Sequence, residues 1–387
     1  MVDRDIICTS SHYWNEAWFR KQHFMSRLAR QNRILYVEPS FPMVRERPHQ
    51  HARNRWLAPM LYQATENLWR LQPPRKLPKW TYPWVTRINY YWYGRLIARA
   101  AQSLNFRDVL LWVYVSQYAS ALDVIPHRQL IFDLCDDYVA YNQGQPYIEA
   151  YTRECLRTLF DRANVVVTTT ETLRDKYRAM RGDMIVIPNG VDYARFENAL
   201  KTATVPEDIA KLPRPIIGFI GVLFSFLDYA RLRETILKMP HASFVFVGRG
   251  EYTPGVNYLH DLANVYLLGN RPTDMIPAYV QSFDVCISPF KHDEVSRHVS
   301  PLKVYEYLAC GKPVVSTPME ALAQSLGSSA DSIICWDDPC APDSTGAIER
   351  ALATDSDALG QKRKQIARRF SWDSLFNKLE TVLDERL

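Results

Sequence analysis

Short apolar runs alternate along the chain with longer stretches in which apolar positions return every three or four residues. The first series of runs is DIICTSS (5–11), RILYVEP (33–39), VLLWVYV (109–115), LIFDLCD (130–136), NVVVTTT (164–170) and MIVIPNG (184–190). Runs of this kind read as buried strands, and the spacing predicts helices near 16–30, 85–104, 147–163 and 171–180. A β-α-β alternation of this length calls for the α/β class with a parallel, doubly wound sheet.

A second series follows the Pro-containing polar stretch TATVPEDIAKLPRP: PIIGFIG (215–221), SFVFVG (243–248), NVYLLG (264–269), VCISPF (285–290), PVVST (313–317) and SIICWD (332–337). Two tandem Rossmann-like domains are expected, at 1–201 and 215–370, with 202–214 as linker and 371–387 as a terminal helix. Ligands of such domains lie at the carboxyl ends of the strands, here in a cleft that the two domains would face. The chain has no internal repeat and no G-x-x-x-x-G-K-[ST] loop, and the G-x-G of GRGEYTPG (248–255) does not continue to a third spaced glycine. A P-loop ATPase or a dehydrogenase is therefore disfavoured.

Composition narrows the setting. The chain has 387 residues, of which 47% are apolar, enough to bury a core in each domain. Seven cysteines never fall as C-x-x-C and sit mostly in apolar runs, which is reduced-thiol usage and points to a cytoplasmic address. MVDRDIICTSS does not read as a signal peptide, and the longest apolar stretch, at 109–125, is interrupted by Ser and Gln. The net charge of +5 divides into +11 over residues 1–105 and −6 over the rest. Within the basic part, WTYPWVTRINYYWY (80–93) packs seven Trp and Tyr beside Lys76, Lys79, Arg87, Arg95 and Arg99. Rings with cationic neighbours suit peripheral contact with an anionic membrane through residues such as Trp84 and Trp92, which would place the protein at the inner face of the cytoplasmic membrane. Packing of the rings within their own domain is the alternative. The basic residues are scattered and carry no nucleic-acid motif, so nucleic acid is not an expected partner.

The stretch VSPLKVYEYLACGKPVVST (299–317) carries the candidate chemistry. Ser300 before Pro301 reads as an N-cap followed by a favoured first helical residue, so a helix should start at 301. Its free N–H groups and dipole, with Lys303 in the same turn, suit a diphosphate. Glu306, one turn on, can accept two hydrogen bonds from the vicinal hydroxyls of a ribose. A surface i, i+3 salt pair would use the same two residues.

Taken with VIPNGVDYARF (186–196), FIGVL (219–223), FVFVGRG (244–250), NVYLLGNRPTDMIPAYVQSFDVCISPF (264–290) and FSWDSLFNKLETVL (370–383), this stretch resembles group 1 glycosyltransferases of the GT-B fold, nearest the bacterial exopolysaccharide and teichuronic-acid types and the xanthan-type glucuronosyltransferases. The resemblance implies that the C-terminal domain binds the nucleotide sugar, with Glu306 on the ribose, Lys303 on the diphosphate or donor sugar, and Gly221 allowing close approach to the phosphates. It places Arg249, Asn270 and Arg271 around the base, adds Phe290, His298, Ser300 and Leu302 to the donor contacts, and has the helix from Trp372 cross back to the N-terminal domain. Two departures are visible: His298 stands where the family has a first Glu, and LFSFLDYARLR (223–233) replaces a basic pair after the glycine loop. Arg297, His298 or Arg249 would then supply the lost charge.

LIFDLCDDYVAYN (130–142) ends a predicted strand with Asp133, Asp136 and Asp137. A carboxylate there can take the proton of an acceptor hydroxyl as it attacks the anomeric carbon. Asp136 aligns with the base position of the xanthan-type enzymes, with Asp137 as the fallback; capping of the next segment is the structural reading. In a retaining enzyme Asp136 would orient the acceptor instead. His12, after the first strand, is a candidate for contact with the acceptor or with the donor phosphate, a satisfied loop histidine being the alternative, while His49 and His51 in RERPHQHAR read as solvated surface. The resemblance implies a metal-independent transferase with no cofactor beyond the nucleoside diphosphate sugar, UDP-linked, that serves as co-substrate. Its acceptor would be a lipid-linked or polysaccharide chain in bacterial surface glycan synthesis. The alternatives are a sugar-nucleotide 2-epimerase and a noncatalytic nucleotide-sugar-binding protein of the same fold.

Overall fold

The computed structural model describes residues 1–40, 59–79, 81–202, 204–250 and 253–387. His49, His51 and Trp80 lie outside them. The chain forms two compact units: Met1–Thr169 with Leu173–Ile187 and Phe376–Leu387, and Thr170–Thr172 with Pro188–Leu375.

The first unit is built on an eight-stranded sheet of β1 (Asp5–Thr9), β2 (Arg33–Val37), β3 (Met60–Thr65), β4 (Leu68–Gln72), β5 (Leu110–Val113), β6 (Gln129–Leu134), β7 (Val165–Thr168) and β8 (Ile185–Val186), in the order β3-β4-β2-β1-β5-β6-β7-β8. All neighbours are parallel except β3 and β4, a hairpin that the apolar pattern did not announce. Its β3 is an edge strand whose residues from Leu61 to Thr65 are all exposed, so it carries no buried run to read. The central strands β1 and β5 are buried throughout, as both faces of a parallel sheet require.

The second unit holds a six-stranded, wholly parallel sheet of β9 (Ile216–Ile220), β10 (Ser243–Val247), β11 (Val265–Gly269), β12 (Val285–Ser288), β13 (Val314–Ser316) and β14 (Ile334–Trp336), in the order β11-β10-β9-β12-β13-β14. The order reverses at β9, where connections leave to either side; in such sheets the crevice at the strand ends receives ligands. The first predicted helix is shorter than its pattern, Arg20–Leu28, and the fourth spans Glu171–Tyr177.

The compact-unit boundary at Ile187/Pro188 lies ahead of the 202–214 stretch. Ile209 within that stretch is fully buried in the core of the second unit, and Asp208 bonds Arg271 and Tyr279. The helix Trp372–Arg386 begins in the second unit, and its residues from Phe376 belong to the first, where Glu380 and Asp384 receive the Met1 ammonium at 3.2 and 2.9 Å. All seven cysteines are free thiols.

Candidate functional site

At the carboxyl end of β9, Gly221 adopts φ +118°, a conformation that favours glycine, and its N–H donates to the Val247 carbonyl at 2.9 Å. Gly248, at the end of β10, has φ +147°. The two turns therefore meet backbone to backbone. Beside them stands Lys303: a Cβ on Gly221 would lie 3.2 Å from its Cε and 3.8 Å from its Nζ. The ammonium is 4.7 Å from the ring centroids of both Phe219 and Phe290, and Phe226 stacks on Phe290 at 5.4 Å. Burial brings the Lys303 pKa down to about 8, with Glu306 working in the opposite direction.

The helix bearing Lys303 is Leu302–Ala309, one residue later than the sequence pattern predicts. Its N-cap is Pro301, and Ser300 does not cap it: the Ser300 hydroxyl accepts from the Asn189 N–H at 3.3 Å and its carbonyl from the Asn189 side-chain amide at 2.9 Å. The extended Pro301 backbone points the chain into the helix without a side-chain acceptor, so the turn's early N–H groups are not taken by Ser300. Glu306 shares the outer face with Lys303, and burial raises its pKa to about 7 against the pull of Arg195 and Lys303. Arg195, on the helix Tyr193–Leu200, was not singled out in the sequence; it is distant in the chain and became visible only through its charge on Glu306.

The remaining donor candidates divide. Arg249 and Asn270 are exposed at the ends of β10 and β11. The Arg271 guanidinium, in contrast, is paired with Asp208 at 2.9 Å and with the Tyr279 hydroxyl at 2.9 Å. Phe290 is buried and serves as one wall around Lys303, and Leu302 is half-buried. His298 is buried, with Nε2 3.1 Å from Glu294 and, among the described residues, no hydrogen-bond partner at Nδ1. Arg297 pairs with Glu320 at 2.6 Å. A cavity of about 770 Å³ opens beside this loop, lined in part by Asp293, Arg297, Met319 and Trp336.

In the first unit the three acids after β6 have different environments. Asp133 is fully buried and receives the Arg20 Nε on both oxygens at 3.0 and 3.1 Å, while Arg20 also donates to the Ile187 carbonyl at 2.7 Å. Asp137 caps the turn that follows, accepting from the Val139 and Ala140 N–H groups at 3.2 Å each, and it binds Tyr177 at 2.8 Å and Lys176 at 2.6 Å. Burial pushes its pKa up, but Lys176 and Tyr177 prevail and hold it below the ordinary carboxylate value. The half-buried Asp136 accepts from the Tyr141 hydroxyl at 3.1 Å; burial raises its pKa, with Lys21 and Tyr141 acting against the rise. His12 Nδ1 lies 3.3 Å from Lys21 Nζ and 3.0 Å from Ser11, and burial together with Lys21 lowers its pKa to about 3, so the imidazole is neutral. Lys21 and Tyr141 are thus neighbours of the candidate residues that residue spacing did not reveal.

Residues 214–353 match the family described as glycosyl transferases group 1. The putative teichuronic acid biosynthesis glycosyltransferase TuaH of Bacillus subtilis (strain 168) is 26% identical over 289 residues, 72% of each chain. Among solved structures, sucrose-phosphate synthase from Thermosynechococcus elongatus superposes with TM-score 0.74 at 13% identity, covering 99% of this chain and 98% of the other. Anabaena HepE, solved in complex with UDP and glucose, superposes with TM-score 0.66 at 14% identity, covering 99% and 100%. These structural likenesses establish the fold. Residues 214–353 thus match a group 1 glycosyltransferase domain, and the chain as a whole has the fold of these structures, the GT-B fold.

Proposed function

We propose that the protein transfers a sugar from a UDP-sugar to a lipid-linked or polysaccharide acceptor in bacterial surface glycan synthesis. The observation that carries this reading is the Lys303 ammonium set against the bare backbone of Gly221, with Glu306 one helical turn on. The turn and the lysine suit a diphosphate, and Glu306 suits the ribose diol. Arg249 and Asn270 flank the base, and Arg297 and His298 reach the hexose. The relative's name, a teichuronic acid biosynthesis enzyme, and the UDP bound by HepE support donor and pathway class.

In this reading the second unit takes the donor and the first the acceptor. An acceptor hydroxyl oxygen attacks the anomeric carbon, the bond to the diphosphate breaks, and its electron pair stays on the β-phosphate oxygen. Lys303 stabilises that developing charge. Asp136 takes the hydroxyl proton, and the neutral His12 contacts the acceptor as a hydrogen-bonding group. Asp137, committed to Lys176, Tyr177 and the following turn, has a structural part.

The test is incubation of the purified protein with UDP-sugars, with product analysis. Release of UDP and free sugar, accelerated by a glycan or lipid-linked acceptor with formation of a new glycoside, is expected. Formation of a 2-epimer, or nucleotide binding with no turnover under any acceptor, would overturn the transferase reading in favour of an epimerase or a binding protein.

A further inference from the structure

The helix Pro83–Ser103 of the first unit has two faces of different character. Val85, Asn89, Tyr93, Leu96, Ile97 and Ala100 point into the core of the unit. Trp84, Ile88, Tyr91, Arg95 and Arg99 return at intervals of three and four residues, which places them on one stripe of the opposite side. That stripe is exposed, to 63% at Trp84, 48% at Ile88 and 49% at Tyr91. Trp92, by contrast, packs against Tyr93 and the core, so the two tryptophans singled out in the sequence have different environments.

An outer helix face is ordinarily polar, because water is its partner. Here its first half presents two aromatic rings and an isoleucine, and its second half two arginines. The sequence around it is charged with one sign: residues 67–107 contain eight Lys and Arg and no Asp or Glu. We infer that this stripe is the surface on which the protein lies on an anionic lipid bilayer, with Trp84, Ile88 and Tyr91 entering the headgroup region and Arg95 and Arg99 meeting lipid phosphates. Apolar rings alone would suit a protein partner, and basic residues alone an acidic polymer. Their combination on one stripe matches a surface that is both apolar and negatively charged. The inference deepens the proposal of a lipid-linked acceptor, but it stands on the helix face and not on the transfer chemistry.

The full chain is mixed with vesicles of phosphatidylglycerol and phosphatidylcholine, or of phosphatidylcholine alone, and sedimented without any sugar donor. Binding to the anionic vesicles is expected, weakening as salt is added. The pair Trp84→Ser and Ile88→Ser, and separately the pair Arg95→Gln and Arg99→Gln, should each weaken it by roughly tenfold or more, with melting temperature and donor hydrolysis unchanged. Failure of the wild-type chain to bind, or undiminished binding by both variants, would overturn the inference while leaving the donor reading intact. A change of oligomeric state in the Trp84→Ser, Ile88→Ser variant, with vesicle binding unchanged, would assign the stripe to a second protein chain and overturn it as well.

Discussion

A Cβ placed on Gly248 would fall 2.0 Å from the carbonyl oxygen of Gly221. Backbone cannot yield to such a contact as the end of a flexible side chain can, and φ +147° at Gly248 is itself unfavourable for any other residue. Gly248→Ala is therefore expected to destabilise the fold by more than about 1 kcal/mol and to weaken UDP-sugar binding by displacing the Gly221 turn. Urea denaturation and calorimetry report the two effects; wild-type values in both would show that the turns tolerate separation.

Lys303 and Glu306 should separate by ligand. Glu306→Ala is expected to weaken both UDP and uridine by about 1.5–3 kcal/mol, the scale for hydrogen bonds to a charged group. Lys303→Ala should weaken UDP and leave uridine nearly unchanged, because only the diphosphate meets the ammonium. Equal losses for the two ligands would remove Lys303 from the diphosphate.

The pH dependence of donor binding follows from the same pair. Glu306, raised to about 7, is protonated below that pH and then offers fewer acceptor sites to the ribose; its contribution grows as pH rises through 7. Lys303, lowered to about 8, loses its charge above that pH, and its contribution falls. UDP-glucose affinity, measured calorimetrically, is expected to peak between these values. In Glu306→Gln the acid-side limb should disappear; persistence of that limb would assign it to another group.

Asp136→Asn keeps the side-chain shape and removes the proton acceptor, so kcat for transfer should fall about 100-fold or more with UDP affinity unchanged. Asp137→Asn should act instead on stability, since it weakens the pairing with Lys176 while sparing much of the turn. Near-normal turnover in Asp136→Asn, or retention of configuration at the anomeric carbon, would leave Asp136 as an orienting group.

The two β-α-β series and the shared helix face of Lys303 and Glu306 were legible in the order of residues, because burial on both faces of a parallel sheet writes continuous apolar runs and helical spacing fixes which residues share a face. The β3–β4 hairpin escaped because an exposed edge strand leaves no such run. That Phe219 and Phe290 flank Lys303, that Arg195 acts on Glu306, and that Asp208 pairs with Arg271 came from long-range packing. It also separated Asp136 from Asp137 by giving the latter Lys176 and Tyr177, and Trp84 from Trp92 by turning one outward. Each of these depends on which distant segment packs against which. Chain-local periodicity records the direction of burial but not the identity of the neighbour met there.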